Sequence, residues 1–136
     1  MNQPLQESTS LDKQALLPAR SCRNAAALFN VGNMVAVLFP PAGLLWLAAS
    51  MVIYAMNRHH PEARVGHYTQ IAAYRIYAVA GLLVAAALFV PKNGLNYYLA
   101  FWAISIAIIF PLSIRDLLRI RRDDWQDINI KDTQHD

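Results

Sequence analysis

Charged residues are almost absent from the middle of this chain, and that distribution limits its fold more than any other feature. Between Ala25 and Phe110, nearly every charged side chain falls in the short stretch 58–64, and the exceptions are Arg75 and Lys92. A helix in a water-soluble protein has a polar side, whereas a helix that is apolar all round needs lipid or a very large core. A chain of 136 residues cannot build such a core. The sequence therefore predicts an all-α integral membrane protein.

Composition and charge support this interpretation and narrow the classes of partner. Hydrophobic residues make up 56% of the chain and charged residues 15%, against roughly 45–50% and 25% in soluble domains. The net charge of +3 comes from basic residues at the ends of apolar segments, where anionic lipid headgroups are the expected acidic partner. Nucleic-acid binding is excluded, because no soluble element carries a basic patch interleaved with aromatic residues.

Two apolar segments are long enough to cross a bilayer. At 1.5 Å per residue, the segment 68–90 gives roughly 35 Å of helix and 96–114 gives roughly 28 Å, close to the roughly 30 Å of hydrocarbon core. Pro91 and Gly94 mark the turn between them. We expect both to be transmembrane helices, with the second helix continuing to residue 119.

The segment before them is interrupted by Pro40-Pro41, which divides it into helices 25–39 and 42–56. These pieces form either a tight hairpin in the membrane or one kinked span. A hairpin places the N-terminal tail, the 57–67 loop and the C-terminal tail on one side, and basic residues concentrate on the cytoplasmic side of a membrane. The hairpin is favoured because only Lys92 then lies outside, while nine basic residues face the cytoplasm: Lys13, Arg20, Arg23, Arg58, Arg64, Arg115, Arg119, Arg121 and Arg122.

The expected organisation is thus a polar N-terminal tail over 1–24, a helical membrane domain over 25–120 and a charged C-terminal tail over 121–136. We expect a multi-pass protein of the bacterial inner membrane, with both termini in the cytoplasm. The single cysteine, Cys22, excludes an internal disulfide and is interpreted as an incidental thiol close to the membrane.

Three histidines in and beside the polar loop are the only candidate metal ligands. His59, His60 and His67, with Glu62, have the side-chain chemistry of a zinc site. Their spacing matches no metal motif, and polar residues are ordinary in a loop at the headgroups. A solvated loop is therefore the preferred interpretation, and no metal or cofactor is expected.

Arg75 is the most informative single charge, because an ionisable residue inside a membrane segment is a functional candidate. The preferred interpretation is that its long side chain snorkels to the cytoplasmic interface. The alternative is a structural ion pair with Asp116, although Asp116 could equally pair with Arg119 three residues later. A role for Arg75 in transport is a further alternative.

Polar and small residues in the helices suggest close packing. Asn30 and Asn33 share one face of the first helix and could hydrogen-bond inside a bundle. Small residues also recur at four-residue spacing, which lets helices approach closely in lipid. The pairs are Gly32 with Ala36, Gly81 with Ala85, and Ala103 with Ala107.

Four stretches of the sequence occur in a characteristic order: 41–46 (Pro-Ala-Gly-Leu-Leu-Trp), Asn57-Arg58, the helix opened by His67, and 110–115 (Phe-Pro-Leu-Ser-Ile-Arg). In this order of features the chain resembles a group of small bacterial membrane proteins that are distantly related to the channel-like component of the chloroplast inner-envelope protein translocon. Where that family usually has Asn-Phe-Gln, this chain has Ala73-Tyr74-Arg75. The resemblance implies four helical segments with both tails inside, and it carries over no catalytic residue.

No nucleophile–base pair, glycine-rich phosphate loop or pair of buried carboxylates is visible. We therefore expect a non-enzymatic accessory or assembly subunit that packs against other membrane protein subunits or itself. The alternative is a small oligomeric transporter or channel, in which Arg75, Asn30, Asn33 and Ser105 would line a polar path.

Overall fold

Four α-helices make up nearly all of the chain that the structure describes. The computed structural model describes residues 16–89 and 94–130. The helices are α1 (Ala19–Leu38), α2 (Pro40–Arg58), α3 (Ala63–Phe89) and α4 (Leu95–Arg122), and two short strands, β1 (Leu16–Leu17) and β2 (Ile128–Asn129), pair antiparallel. The all-α fold predicted from the sequence is confirmed.

A single extended residue, Phe39, separates α1 from α2. Its backbone lies at φ −126° and ψ 91°, as expected for a residue that precedes proline. Pro40 and Pro41 occupy the first two positions of α2, where a proline's missing N–H breaks no helical hydrogen bond. The Pro-broken hairpin is therefore found, with α2 beginning at Pro40 rather than at the predicted residue 42.

Both described ends of the chain lie at the same end of the bundle. Leu16 and Leu17 of β1 pair with β2, and the Ala19 N–H donates to Asp127 Oδ1 at 2.7 Å. We call this the terminal end; it also holds the 59–62 loop, because Arg64 Nη1 donates to the Asp124 carbonyl at 2.8 Å. One kinked span would put Ala19 and Asp127 at opposite ends, so that alternative is wrong.

The helices extend beyond the predicted bounds at the terminal end. α1 begins at Ala19 instead of 25, α3 at Ala63 instead of 68, and α4 ends at Arg122 instead of 119. Ordered structure therefore covers residues 16–24 and 121–130, which the sequence assigned to tails. Of the polar N-terminal tail, only 1–15 lies outside the described residues.

The surface and the length of α3 and α4 suit a bilayer. Their 27 and 28 residues give roughly 40 and 42 Å of helix. In their most apolar stretches only 28% and 17% of residues are buried, unlike the mostly buried core helix of a soluble protein. Leu88 and Phe89 of α3 and Leu44 and Leu45 of α2 are also strongly exposed. α3 and α4 are the two helices able to cross a membrane among the described residues.

The core follows α1, which contacts all three other helices. In the middle of the bundle, Phe29 and Val37 pack with Ile76, Val79 and Ile109. At the terminal end, a second cluster joins Cys22 and Ala26 of α1 to Val65 of α3 and Ile120 of α4. α1 and α3 run from the terminal end towards the opposite end, which holds Phe39 and Gly94 and which we call the turn end.

Candidate functional site

Arg75 and Asp116 form an ion pair between α3 and α4. Arg75 Nη1 lies 2.6 Å from Asp116 Oδ2 and also donates to the Leu112 carbonyl at 3.4 Å. The Asp116 side chain is 4% exposed and the Arg75 side chain 23%. The structure therefore shows the ion pair, which the sequence offered as the alternative interpretation. The preferred interpretation, in which Arg75 snorkels to the interface without a partner, is not found.

The position of the pair makes it a polar contact within the apolar part of the bundle. Arg75 lies twelve residues into α3, roughly 18 Å from Ala63 along the helix. Side chains on a helix point towards its N-terminus, so the guanidinium leans towards the terminal end and meets Asp116 on the antiparallel α4. Charges buried in this way are costly unless paired, and here each has its partner.

Asn33 joins three helices through one amide. Its Nδ2 donates to the Ala72 carbonyl of α3 at 2.9 Å, and its Oδ1 accepts from Trp46 Nε1 of α2 at 2.8 Å. The Trp46 ring lies over Gly32, where a Cβ atom would overlap it, and it meets Phe29 edge to face at 5.5 Å. Gly32 thus makes room for the tryptophan that binds Asn33.

Asn30 has no such partner, contrary to the expectation that both asparagines hydrogen-bond inside the bundle. It is fully buried, and neither atom of its amide has a hydrogen-bond partner in the part of the chain that the structure describes. It lies on the same face of α1 as Ala26, Asn33 and Val37, one turn nearer the terminal end than Asn33. An unsatisfied buried amide costs about 1–3 kcal/mol.

Two further polar contacts join α2 to α3, and the sequence interpretation missed both. The Ser50 and Tyr77 hydroxyls lie 3.1 Å apart, and Asn57 Nδ2 donates to Thr69 Oγ1 at 3.2 Å. The signal was present in the spacing: Ser50 and Asn57 are seven residues apart on α2, and Thr69 and Tyr77 are eight apart on α3. Each pair is therefore two turns apart on one helix face.

At the terminal end, the loop and the C-terminal residues form a polar cap. Glu62 binds Arg64 at 2.8 Å, and this hydrogen bond lowers the pKa of Glu62. The Arg64 guanidinium lies 4.7 Å from the centre of the Trp125 ring, and the Tyr68 hydroxyl donates to Asp123 Oδ2 at 2.7 Å. Sequence analysis missed this cap, because its contacts with Asp123 and Trp125 join residues that are more than fifty positions apart along the chain.

The three candidate metal ligands are not brought together with Glu62. His60 Nδ1 accepts from the Glu62 backbone N–H at 3.1 Å, His67 packs against Tyr68 edge to face, and His59 is exposed after the end of α2. Glu62 is occupied by Arg64. Among the described residues, no group of three histidine, cysteine or acidic side chains could hold a metal ion.

Cys22, which the sequence interprets as an incidental thiol close to the membrane, is buried. It is 1% exposed within the cluster of Ala26, Val65 and Ile120. Burial raises its pKa, and the negative charge of Glu62 adds to the effect. Because the thiolate is the reactive form of cysteine, we expect this thiol to react slowly with maleimide in the folded protein.

The three pairs of small residues have different environments. Gly32 and Ala36 pack inside the bundle, whereas Gly81, Ala85, Ala103 and Ala107 are exposed. A Cβ at Gly81 would meet no atom within 4 Å. An apolar cavity of about 240 Å³ lies between the helices. It is lined by Ala36, Val79, Leu83, Trp102 and Ser105.

Comparisons of the chain with family models, curated proteins and solved structures find no match. The resemblance to the bacterial relatives of the chloroplast translocon component therefore stays a prediction, and the function is argued from the contacts above.

Proposed function

We propose that this chain is a non-enzymatic accessory or assembly subunit that packs against other membrane proteins or against a second copy of itself. One observation carries the proposal: small residues are exposed on both helices able to cross a membrane, in the half of each helix nearer the turn end. Gly81 and Ala85 lie in the second half of α3, and Ala103 and Ala107 lie in the first half of α4. Both helices therefore expose small residues towards the same end of the bundle.

The polar side chains of the interior support the same proposal. Arg75 is bound to Asp116, and Asn33 to Ala72 and Trp46. These groups hold the helices of this chain to one another, so they serve the stability of the subunit. The subunit then contacts its partners through the exposed apolar faces of its helices, where small residues allow close helix approach.

We further propose that the terminal end faces the cytoplasm of a bacterial cell, across its inner membrane. The chain has twelve lysines and arginines. Nine of them are among the described residues, and of these Arg75 lies in the helix interior. The other eight lie in the half of the bundle nearer the terminal end: Arg20, Arg23, Arg58, Arg64, Arg115, Arg119, Arg121 and Arg122. Basic residues accumulate on the cytoplasmic side. Arg20→Cys, made with Cys22→Ala, should be labelled by a membrane-impermeant maleimide only after the cells are opened; labelling of intact cells would contradict this orientation.

The assembly role is tested by enlarging Gly81. Gly81→Leu adds a side chain where nothing lies within 4 Å, so the fold of the subunit should persist. The matched control is Ala55→Leu, on the exposed face of α2. Proteins that remain bound after mild detergent extraction are quantified by mass spectrometry, and self-association by cross-linking. We expect Gly81→Leu to lose partners that Ala55→Leu retains; equal recovery with both variants would contradict the proposal.

A small oligomeric transporter or channel is the second candidate. The buried amide of Asn30, which has no hydrogen-bond partner among residues 16–89 and 94–130, favours it. Such a group could contact a polar solute in transit. In proteoliposomes, potassium and chloride flux should then exceed that of protein-free vesicles and fall with Asn30→Leu. Absence of flux above the protein-free level would count against this candidate and leave the assembly role standing.

A further inference from the structure

A groove between α1 and α4 opens at the terminal end and runs along the outer surface of the bundle. Its volume is about 720 Å³. Arg23 and Arg121 stand at its mouth, and its walls deeper along the helices are apolar. Those walls are formed by Ala27, Val31, Ile114, Leu117 and Leu118. From Arg23 to Val31 the groove follows α1 for roughly 12 Å, and from Arg121 to Ile114 it follows α4 for roughly 10 Å.

The two arginines at the mouth are without partners in the described part of the chain. Neither Arg23 nor Arg121 forms an ion pair or a side-chain hydrogen bond with residues 16–89 or 94–130. Asp123 and Asp124 line a neighbouring polar recess together with Arg23, but they make no ion pair with it. Two guanidinium groups, together with Asn24, therefore line one end of a groove whose walls are apolar further along the helices.

This pattern has the chemistry of a phospholipid. A guanidinium binds a phosphate through two parallel hydrogen bonds, and basic pockets between membrane helices bind anionic lipid headgroups. The apolar walls continue from the charged mouth in the direction of the acyl chains. We propose that this groove binds one anionic phospholipid, with its phosphate between Arg23 and Arg121 and an acyl chain along Val31 and Ile114. The inference requires membrane insertion but does not depend on the assembly role.

The test uses the detergent-solubilised full chain and counts bound lipids by native mass spectrometry. Dioleoyl phosphatidylglycerol is titrated against dioleoyl phosphatidylcholine, which has the same chains and no net charge. The test variant is Arg23→Gln with Arg121→Gln. The matched control is Arg20→Gln with Arg122→Gln, which removes the same charge from the same end but from residues that do not line the groove. Protection of the buried Cys22 from maleimide verifies that each variant is folded.

We expect one molecule of phosphatidylglycerol to bind with a clear preference over phosphatidylcholine. Each arginine near an anionic lipid strengthens binding roughly five-fold, so the Arg23/Arg121 variant should lose roughly 25-fold in affinity. The Arg20/Arg122 control should keep most of the preference. Equal losses in the two variants would overturn the proposal, because they would show attraction by overall charge. So would a wild-type protein without preference for phosphatidylglycerol.

Two further measurements separate a lipid from a soluble phosphate and guard against misfolding. Val31→Trp fills the apolar part of the groove and leaves the arginines intact, so it should weaken binding of both lipids. Glycerol 1-phosphate carries the same headgroup chemistry without chains, and its ability to displace the lipid at equal concentration would overturn the lipid assignment. If the double variant does not fold, the single variants Arg23→Gln and Arg121→Gln, each at an exposed side chain, give the same comparison.

Discussion

The ion pair between Arg75 and Asp116 provides the sharpest test of how this bundle is held together. Arg75→Met leaves a carboxylate that is 4% exposed without its cation, and breaking a buried pair in this way costs about 3–5 kcal/mol. Asp116→Leu leaves a guanidinium that is 23% exposed on a long side chain. Because that side chain can extend to the headgroups, we expect a smaller loss, about 1–3 kcal/mol.

The double variant is expected to be as stable as the wild-type protein or more stable. Replacing both charges by apolar side chains removes the cost of burying them as well as their attraction, and such replacements are often neutral or stabilising. The two effects are therefore strongly non-additive. The order of stability should be Arg75→Met lowest, Asp116→Leu intermediate, and the double variant within about 1 kcal/mol of wild type or above it.

The chain contains its own reporter for this measurement. Cys22 is the single cysteine and is buried, so its reaction with a fluorogenic maleimide reports opening of the bundle. The reaction is followed while sodium dodecyl sulfate is raised in a milder detergent, and the loss of helix is followed in parallel by circular dichroism. Agreement between the two signals shows that Cys22 reports global unfolding and not local opening of α1.

Two results would refute this reasoning. If both single variants lie within about 0.5 kcal/mol of wild type, the charges contribute nothing to the fold and the pair is incidental. If the losses of the single variants simply add in the double variant, Arg75 and Asp116 act separately and their contact has no energetic meaning.

Three other substitutions test the rest of the interior and the cap. Gly32→Ala should lower stability by about 1–3 kcal/mol, because its Cβ would overlap the Trp46 ring; an unchanged unfolding midpoint would contradict the observed packing. Asn30→Leu should raise stability by about 1 kcal/mol or more, since the buried amide has no partner among the described residues, and a lower midpoint would show that the amide is bound. Glu62→Gln should destabilise the protein at neutral pH, because its hydrogen bond with Arg64 lowers the pKa of Glu62 below 4.5. The stabilisation is complete above the unfolded pKa and is lost as the pH falls through the folded one, so the difference from wild type should disappear in acid; a constant difference would exclude this origin.

The hairpin of α1 and α2 could be predicted because two independent signals agreed on it. Adjacent prolines interrupt the apolar segment, and the charges favour both tails on one side. The break lies at Phe39 because the residue before a proline is driven into an extended conformation, while prolines fit the first turn of the next helix. The start of α1 could not be predicted in the same way. Its first N–H binds Asp127, 108 residues away, and no local pattern encodes that contact.

The polar contacts between helices depend on which residues lie opposite each other. For α1 and α2 this could be predicted from the sequence. A hairpin places residues at equal distances from its turn opposite each other. Asn33 precedes Phe39 by six residues and Trp46 follows Pro40 by six, so their hydrogen bond could have been expected once the turn was located. Asn30 lacks an aromatic donor at the matching distance on α2, since Ala49 is there.

For α3 and α4 no such rule was available, because the turn between them does not fix how far each helix extends. The sequence left snorkelling, an ion pair with Asp116 and a role in transport open for Arg75. The ion pair requires that Arg75 and Asp116 lie at the same level of the bundle. That level follows from where the terminal ends meet. Tyr68 binds Asp123, and Arg64 binds the Asp124 carbonyl. Arg75 follows Tyr68 by seven residues on α3, and Asp116 precedes Asp123 by seven residues on the antiparallel α4. Arg75 therefore lies beside Asp116. The polar cap at the terminal end thus determines which charge Arg75 meets in the interior, and substitutions that remove the cap should loosen the pair as well.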